Sequence, residues 1–250
     1  MPIALQAGLW GLLSGSALVI GALLGWFVPM PRRLVAGIMA FGAGVLISAL
    51  SFDLMDEAWS RGGIWPVGAG FFGGAAFFTL CNQLLALWGA RHRKRSDPKL
   101  RATHKQNNGA ALALGALIDG VPESIVIGVS LLEGGVIGFV AVVAVFLSNL
   151  PEGLASAAGM KTEGKSGAFV FLLWTAIALA AGAAALGGYL AFDGADPAAV
   201  AAVQAIAAGA ILAMIVDTMV PEAFEGTQDY AGLIAVSGFL AAFLLSKLGG

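Results

Sequence analysis

Eight apolar runs of about 20 residues constrain the fold of this 250-residue chain more than any other feature. A helix of that length crosses the roughly 30 Å of hydrocarbon in a bilayer and satisfies its own backbone hydrogen bonds there. Only 11% of the residues are charged, whereas soluble domains carry about 25%. The sequence therefore predicts an all-α, polytopic membrane protein whose single transmembrane domain covers residues 1–250. The predicted spans are approximately 7–29, 34–56, 65–90, 109–131, 135–159, 167–191, 198–220 and 230–248.

The distribution of Lys and Arg predicts the orientation of the chain, because cytoplasmic loops of membrane proteins collect these residues. With the N-terminus outside, the inner loops hold eleven Lys and Arg residues, and the outer side keeps only Arg61 and Lys247. We therefore expect both termini to lie outside the cell. We also expect a multi-pass protein of a bacterial inner (plasma) membrane. A formal net charge of −2 argues against a nucleic-acid partner.

Residues 91–108 form the long hydrophilic segment, and seven of them are Lys or Arg. The segment is too polar and too charged to bury itself, so we expect a mobile basic loop in the cytoplasm. His92 and His104 could capture a metal there, but two histidines in a flexible segment are weak evidence for a site.

Two Pro-Glu motifs lie inside the fourth and fifth predicted spans. They read Asp119-Gly-Val-Pro-Glu123 and Ser148-Asn149-Leu-Pro-Glu152-Gly. Polar groups at positions i and i+4 share one helix face. A carboxylate at membrane depth needs a partner, a proton or a cation, and a proline frees one backbone carbonyl of its helix. The pattern predicts a polar site between these two spans, although buried, protonated glutamates would fit it as well.

A short internal repeat relates the second and seventh predicted spans. Gly44 precedes Glu57, and Gly209 precedes Glu222, by thirteen residues in each case. The two spans run in opposite directions, which is typical of an inverted repeat whose substrate site lies near the bilayer midplane. The hypothesis is a 3+2+3 bundle with the fourth and fifth helices at its centre.

The motifs resemble those of the ZIP (Zrt-/Irt-like protein) family of divalent-metal transporters. In that family the fourth helix typically reads His-Asn-x-Pro-Glu-Gly, and the fifth has a polar pair before Ile-Pro-Glu-Gly. Asp217-Thr-Met-Val-Pro-Glu222-Ala is similar to the family's seventh-helix run Asp-Glu-Met-Ile-Pro-Glu-Ala. Asp53-Leu-Met-Asp-Glu57-Ala stands where the second helix carries His/Asp-Leu-Leu-Pro-Glu-Ala.

The resemblance implies one metal site between the fourth and fifth helices. Its ligands would be Asp119, Glu123, Ser148 and Glu152, with Asn149 at the companion position. Gly120 has no side chain where the family has a ligand, and Leu179 or a neighbour stands where the sixth helix often has a glutamate. A binuclear centre is therefore doubtful. The all-oxygen ligand set favours manganese or iron, while the family favours zinc, which we keep first.

The resemblance implies transport of a divalent metal toward the cytoplasm by alternating access. It implies no prosthetic group, and the partners would be the transported metal and the lipid bilayer. Asp53 and Glu57 would line the outer end of the path, and Asp217 and Glu222 the inner end. Two alternatives stay open: a metal-sensing or structural protein with a degenerate site, and a transporter of another cation. No enzyme motif is present, and whether the chain forms a homodimer is open.

Overall fold

The computed structural model describes residues 1–87, 109–133 and 136–248, and these residues form helices without a strand. The basic loop predicted at 91–108, with its two histidines, lies outside the described residues. The α-helices are α1 (Ile3–Phe27), α2 (Arg32–Ala49), α3 (Met55–Gly62), α4 (Ile64–Leu85), α5 (Gly109–Ser130), α6 (Val136–Thr162), α7 (Gly167–Phe192), α8 (Pro197–Met214), α9 (Val220–Thr227) and α10 (Ala231–Leu248).

Six helical stretches in the described ranges are long and apolar enough to cross a membrane. They are Ile3–Phe27, Arg32–Gly62, Ile64–Leu85, Ala141–Thr162, Gly167–Phe192 and Pro197–Leu248. The chain is thus a multi-pass, all-helical membrane protein, as the apolar runs predict. The count of eight spans stays a prediction. Eight spans would require α5, which has 22 residues, to cross the membrane as well, and the 52-residue stretch Pro197–Leu248 to cross it twice.

The chain reverses direction inside that last stretch, at Gln228. This residue has a φ of 49°, in the left-handed region that non-glycine residues seldom adopt. Before the turn, Gly226 lies against Ala36 near the start of α2. After it, α10 runs back along α2 until Ser246 reaches Asp53. The two arms of the stretch therefore pack side by side on one neighbour.

Close helix contacts in this protein depend on glycines whose missing Cβ admits a neighbouring backbone. A Cβ added at Gly44 in α2 would collide with the carbonyl oxygen of Ala235 in α10. One added at Gly209 in α8 would collide in the same way with Phe71 in α4. Small residues permit such approach in lipid, where dispersion contacts and hydrogen bonds hold helices together. The close pairs include α1 with α6 and α7, α2 with α10, α4 with α8, and α5 with α7.

A π-helical turn interrupts each of the two helices that carry the internal repeat. Leu50–Leu54 joins α2 to α3, and Ile215–Met219 joins α8 to α9. Each turn begins six residues after its repeat glycine, Gly44 or Gly209. π-Helical turns are rare and frequently accompany functional sites. The two segments that share the short sequence pattern thus also share an unusual local backbone conformation.

Candidate metal site

The buried charged side chains of the described residues are all carboxylates. Glu57, Asp119, Glu123 and Glu222 are each at most 9% exposed. The described basic residues are more exposed and lie at or beyond the ends of the long helices. Buried carboxylates are costly in an apolar environment, and a cation compensates them. The described interior therefore contains carboxylate oxygens, which are groups that a cation can bind.

The first Pro-Glu motif faces the protein interior from α5. Asp119 is 3% exposed and Glu123 is 2% exposed, so both members of the i, i+4 pair are buried. Pro122 lies inside the helix and has no N–H to offer the carbonyl of Ile118, one turn earlier. Ser124 donates a 2.7 Å hydrogen bond from Oγ to the carbonyl oxygen of Gly120. The motif thus places two buried carboxylates on one side of α5. Beside it lies a backbone carbonyl, that of Ile118, to which Pro122 cannot donate a hydrogen bond.

The second motif lies in α6, which contacts α5. Ser148 and Asn149 are buried, and Glu152 is partly buried. Oγ of Ser148 donates to the carbonyl oxygen of Val145 at 2.9 Å, and Nδ2 of Asn149 donates to Ser14 O in α1 at 3.2 Å. The side-chain oxygens, which carry the lone pairs, are the atoms that Ser148 and Asn149 could offer to a metal.

The proline of the second motif also changes the surroundings of α6. Pro151 cannot donate to the carbonyl oxygen of Leu147. Gly42 of α2 lies close to this carbonyl, since a Cβ built there would be 3.2 Å from Leu147 O and 3.3 Å from Ser148 Cα. The second helix therefore passes directly beside the backbone of the motif.

A small cavity of about 10 Å³ lies between α5 and residues of α1, α6 and α7, a volume close to the lower limit for one water molecule. Gly120, Ser124 and Asn149 contribute to its lining, and a Cβ at Gly120 would meet nothing within 4 Å. The position without a ligand side chain is therefore open space. Within the described ranges, no group of three or more His, Cys, Asp and Glu side chains is close enough to hold a metal ion.

The structure brings Gly120, Ser124 and Asn149 together, and it buries Asp119, Glu123 and Ser148 nearby in the same pair of helices. The predicted ligand set of Asp119, Glu123, Ser148, Glu152 and Asn149 stays a prediction. The sixth-helix position, at Leu179 or a neighbour, stays a prediction, and Leu179 itself is 59% exposed. Ile177 and Ala181 of α7 line the cavity instead.

The predicted outer end of the path contains a buried polar network. Oε1 of Glu57 accepts hydrogen bonds from Nε2 of Gln204 and from Nη2 of Arg61, each at 2.7 Å. One turn earlier, Oδ1 of Asp53 accepts from Oγ of Ser246 at 2.7 Å. The structure therefore places Asp53 and Glu57 on the same end of one helix, with different neighbours.

The predicted inner end is less enclosed. Glu222 is 6% exposed, whereas Asp217 is exposed on the surface of the second π-helical turn. The two carboxylates of this end thus face different environments. Asp56 and Glu225, at the two ends of the proposed path, are exposed as well, which fits carboxylates at helix ends.

Gln204 is the functional candidate that the sequence motifs miss. It is 2% exposed and joins α8 to α3 through Glu57. The signal in the sequence is that Gln204 is the one polar side chain between Pro197 and Val216. A single amide in an apolar span indicates a hydrogen-bond partner on another helix.

Comparison with known proteins gives a distant relative. A protein of Arabidopsis thaliana named "Putative zinc transporter" is 28% identical over 222 residues. The match covers 87% of this chain and 34% of the plant protein, so the chain spans about a third of the length of that relative. The chain is similar to a protein named as a transporter. No model of a known protein family matches it.

Proposed function

We propose that this protein is a ZIP-type transporter that moves a divalent metal across a membrane toward the cytoplasm. The single observation that carries the proposal is the acidic interior of a multi-pass membrane protein, with Glu57, Asp119, Glu123 and Glu222 buried. Intramembrane carboxylates of this kind mark ion pathways. The motif resemblance and the name of the plant relative both point to a metal as the ion.

The packing of the helices supports an inverted repeat as the basis of the transport mechanism. If α1–α4 correspond to α7–α10, and α5 to α6, then the α2–α10 contact corresponds to the α8–α4 contact. The α1–α6 contact corresponds in the same way to the α7–α5 contact, and each of these pairs packs closely. The matching π-helical turns at Leu50–Leu54 and Ile215–Met219 are the natural hinges. We infer that the repeat-related helices move against α5 and α6.

The proposed substrate site combines the carboxylates of Asp119, Glu123 and Glu152 with the oxygens of Ser148 and Asn149. Zinc is the first candidate substrate, and manganese and iron(II) follow because the donors are all oxygen atoms. The three carboxylates would approach one another only with a cation between them, because like charges repel in an apolar interior.

The alternative function is a membrane protein with a degenerate metal site, which senses metal or stabilises an assembly without transport. Within the described residues, no group of three or more His, Cys, Asp and Glu side chains is close enough to hold a metal, which favours this alternative. Gly120 and the apolar Ile177 and Ala181 at the cavity favour it as well. A transporter of another cation, such as the proton, would retain the buried carboxylates but not the metal selectivity.

Reconstitution into liposomes separates these functions. Proteoliposomes loaded with a fluorescent chelator are offered Zn²⁺, Mn²⁺, Fe²⁺ or Mg²⁺ on the outside, with protein-free liposomes as the control. A transporter produces a saturable fluorescence change with at least one of these ions. A metal sensor raises its melting temperature with metal but gives no flux, and a proton transporter acidifies the lumen without metal.

A further inference from the structure

A cavity opens at the end of the bundle that the charge distribution places outside. Its volume is about 350 Å³, and Arg61, Leu132, Phe192, Asp193, Pro197 and Val200 contribute to its lining. Two charged side chains of opposite sign, Arg61 and Asp193, therefore face the same space. Asp193 is exposed, whereas the side chain of Arg61 is only 13% exposed.

Arg61 separates this cavity from the buried network at Glu57. Its guanidinium lies 2.7 Å from Oε1 of Glu57, whose side chain is 7% exposed. Nε2 of Gln204 donates to the same Oε1, and Oε1 of Gln204 is buried without a hydrogen-bond partner. An unpaired amide oxygen in an apolar environment costs free energy, and a cation would remove that cost.

A carboxylate and an amide oxygen are donors that Mn²⁺, Mg²⁺ and Ca²⁺ accept. In this structure the positive charge beside the carboxylate is a guanidinium from the same chain, one helical turn after Glu57. Its N–H groups bind Glu57. In the described structure no N–H group, including those of Arg61, donates to Gln204 Oε1. Gln204 Oε1 therefore remains available to bind a metal cation, whereas Glu57 Oε1 is already bound by Arg61.

We propose that Glu57 and Gln204 form an outer binding position for a divalent cation, and that Arg61 is a tethered cation that occupies this position until metal displaces it. On displacement, the guanidinium would move into the cavity toward Asp193, so that its charge keeps a carboxylate partner. The inference rests on the proposed transport function for its purpose. The binding position itself can be tested without transport.

The test measures Mn²⁺ binding by titration calorimetry in the full chain carrying Glu123→Gln and Glu152→Gln, which silence the central site. Adding Arg61→Gln should tighten Mn²⁺ binding by roughly tenfold or more, because the competing cation is gone. Adding Gln204→Leu as well should abolish the gain. Arg33→Gln is the matched control, since it removes the same charge at the other end of the helical stretch Arg32–Gly62 and should leave binding unchanged.

Two outcomes would overturn the proposal: equal Mn²⁺ affinity with and without Arg61→Gln, or a gain that persists after Gln204→Leu. If Arg61→Gln does not fold, Mn²⁺ affinity is measured in Asp193→Asn instead, because Asp193 is exposed and its substitution should not prevent folding. Losing the outer partner of Arg61 should weaken Mn²⁺ binding several-fold, and unchanged affinity would contradict the inference. In a chain that keeps Glu123 and Glu152, metal flux into liposomes that Arg61→Gln and Gln204→Leu both leave unchanged would sink this inference and leave the transport function standing.

Discussion

Ser246 donates a 2.7 Å hydrogen bond from Oγ to Oδ1 of Asp53 and so joins the last helix to the second across 193 residues of sequence. Asp53 belongs to the π-helical turn Leu50–Leu54, the proposed hinge of the outer half. Phe52 of the same turn packs edge-on against Phe239 and Phe243 of α10. One polar and two aromatic contacts therefore fix α10 to the hinge.

Removing the hydroxyl of Ser246 should loosen this connection. We expect Ser246→Ala to lower the free energy of unfolding by roughly 0.6–1.7 kcal/mol, the range for hydrogen bonds between membrane helices. Ser237→Ala is the matched control, because Ser237 is exposed and bonds only to Ile234 O within α10. Unfolding in mixed micelles measures both variants. Equal effects would mean that the Asp53 contact contributes nothing to stability.

Two adjacent glycines in α4 offer a test of the helix packing. A Cβ at Gly74 would collide with the carbonyl oxygen of Ile206 in α8, whereas a Cβ at Gly73 would meet nothing within 4 Å. Gly74→Ala should lower stability by about 1–3 kcal/mol through overpacking. Gly73→Ala should be neutral or stabilising by up to about 1 kcal/mol, since alanine favours the helix. Thermal unfolding in detergent decides, and the reverse order would refute this packing.

Much of the helix pattern is predictable from the sequence because lipid permits few backbone arrangements. The predicted run 167–191 appears as Gly167–Phe192, and 230–248 appears as Ala231–Leu248. The burial of Asp119 and Glu123 on one face of α5 likewise follows from their i, i+4 spacing. Length, apolar composition and helical period suffice for these features.

The rest depends on contacts that a single sequence does not contain. α7 is apolar on all sides, so no periodic pattern distinguishes the exposed Leu179 from the buried Ile177 and Ala181. The π-helical turns are rare, and no residue pattern in this sequence indicates them. The partners of Gln204 and Ser246 lie on distant segments, so only the tertiary fold identifies them.

The orientation of the chain can be tested with one cysteine in the segment before α7 and one in the segment after it. Both Thr162, at the end of α6, and Asp193, after α7, are exposed. In a Cys81→Ser background, the positive-inside distribution predicts that Thr162→Cys reacts with an impermeant maleimide only from the cytoplasmic side, and Asp193→Cys only from outside. The opposite pattern would reverse the proposed direction of the path.

Metal preference should respond to the residue that stands at the histidine position of the ZIP motif. Asp119→His should shift the ratio of uptake rates toward Zn²⁺ relative to Mn²⁺, because imidazole is the softer ligand. Uptake of both ions into the same chelator-loaded liposomes gives this ratio. An unchanged ratio would mean that Asp119 does not contact the metal.

The most direct test of the central site compares metal uptake and metal-dependent melting in Glu123→Gln, Glu152→Gln and the double variant. Glutamine keeps the shape of the side chain and removes its charge. The account predicts that each single variant folds, loses uptake and loses the rise in melting temperature that metal gives the wild type. The double variant should be no worse than either single one, because both residues serve one site. Glutamine variants that still transport metal, with an undiminished melting shift, would contradict the account.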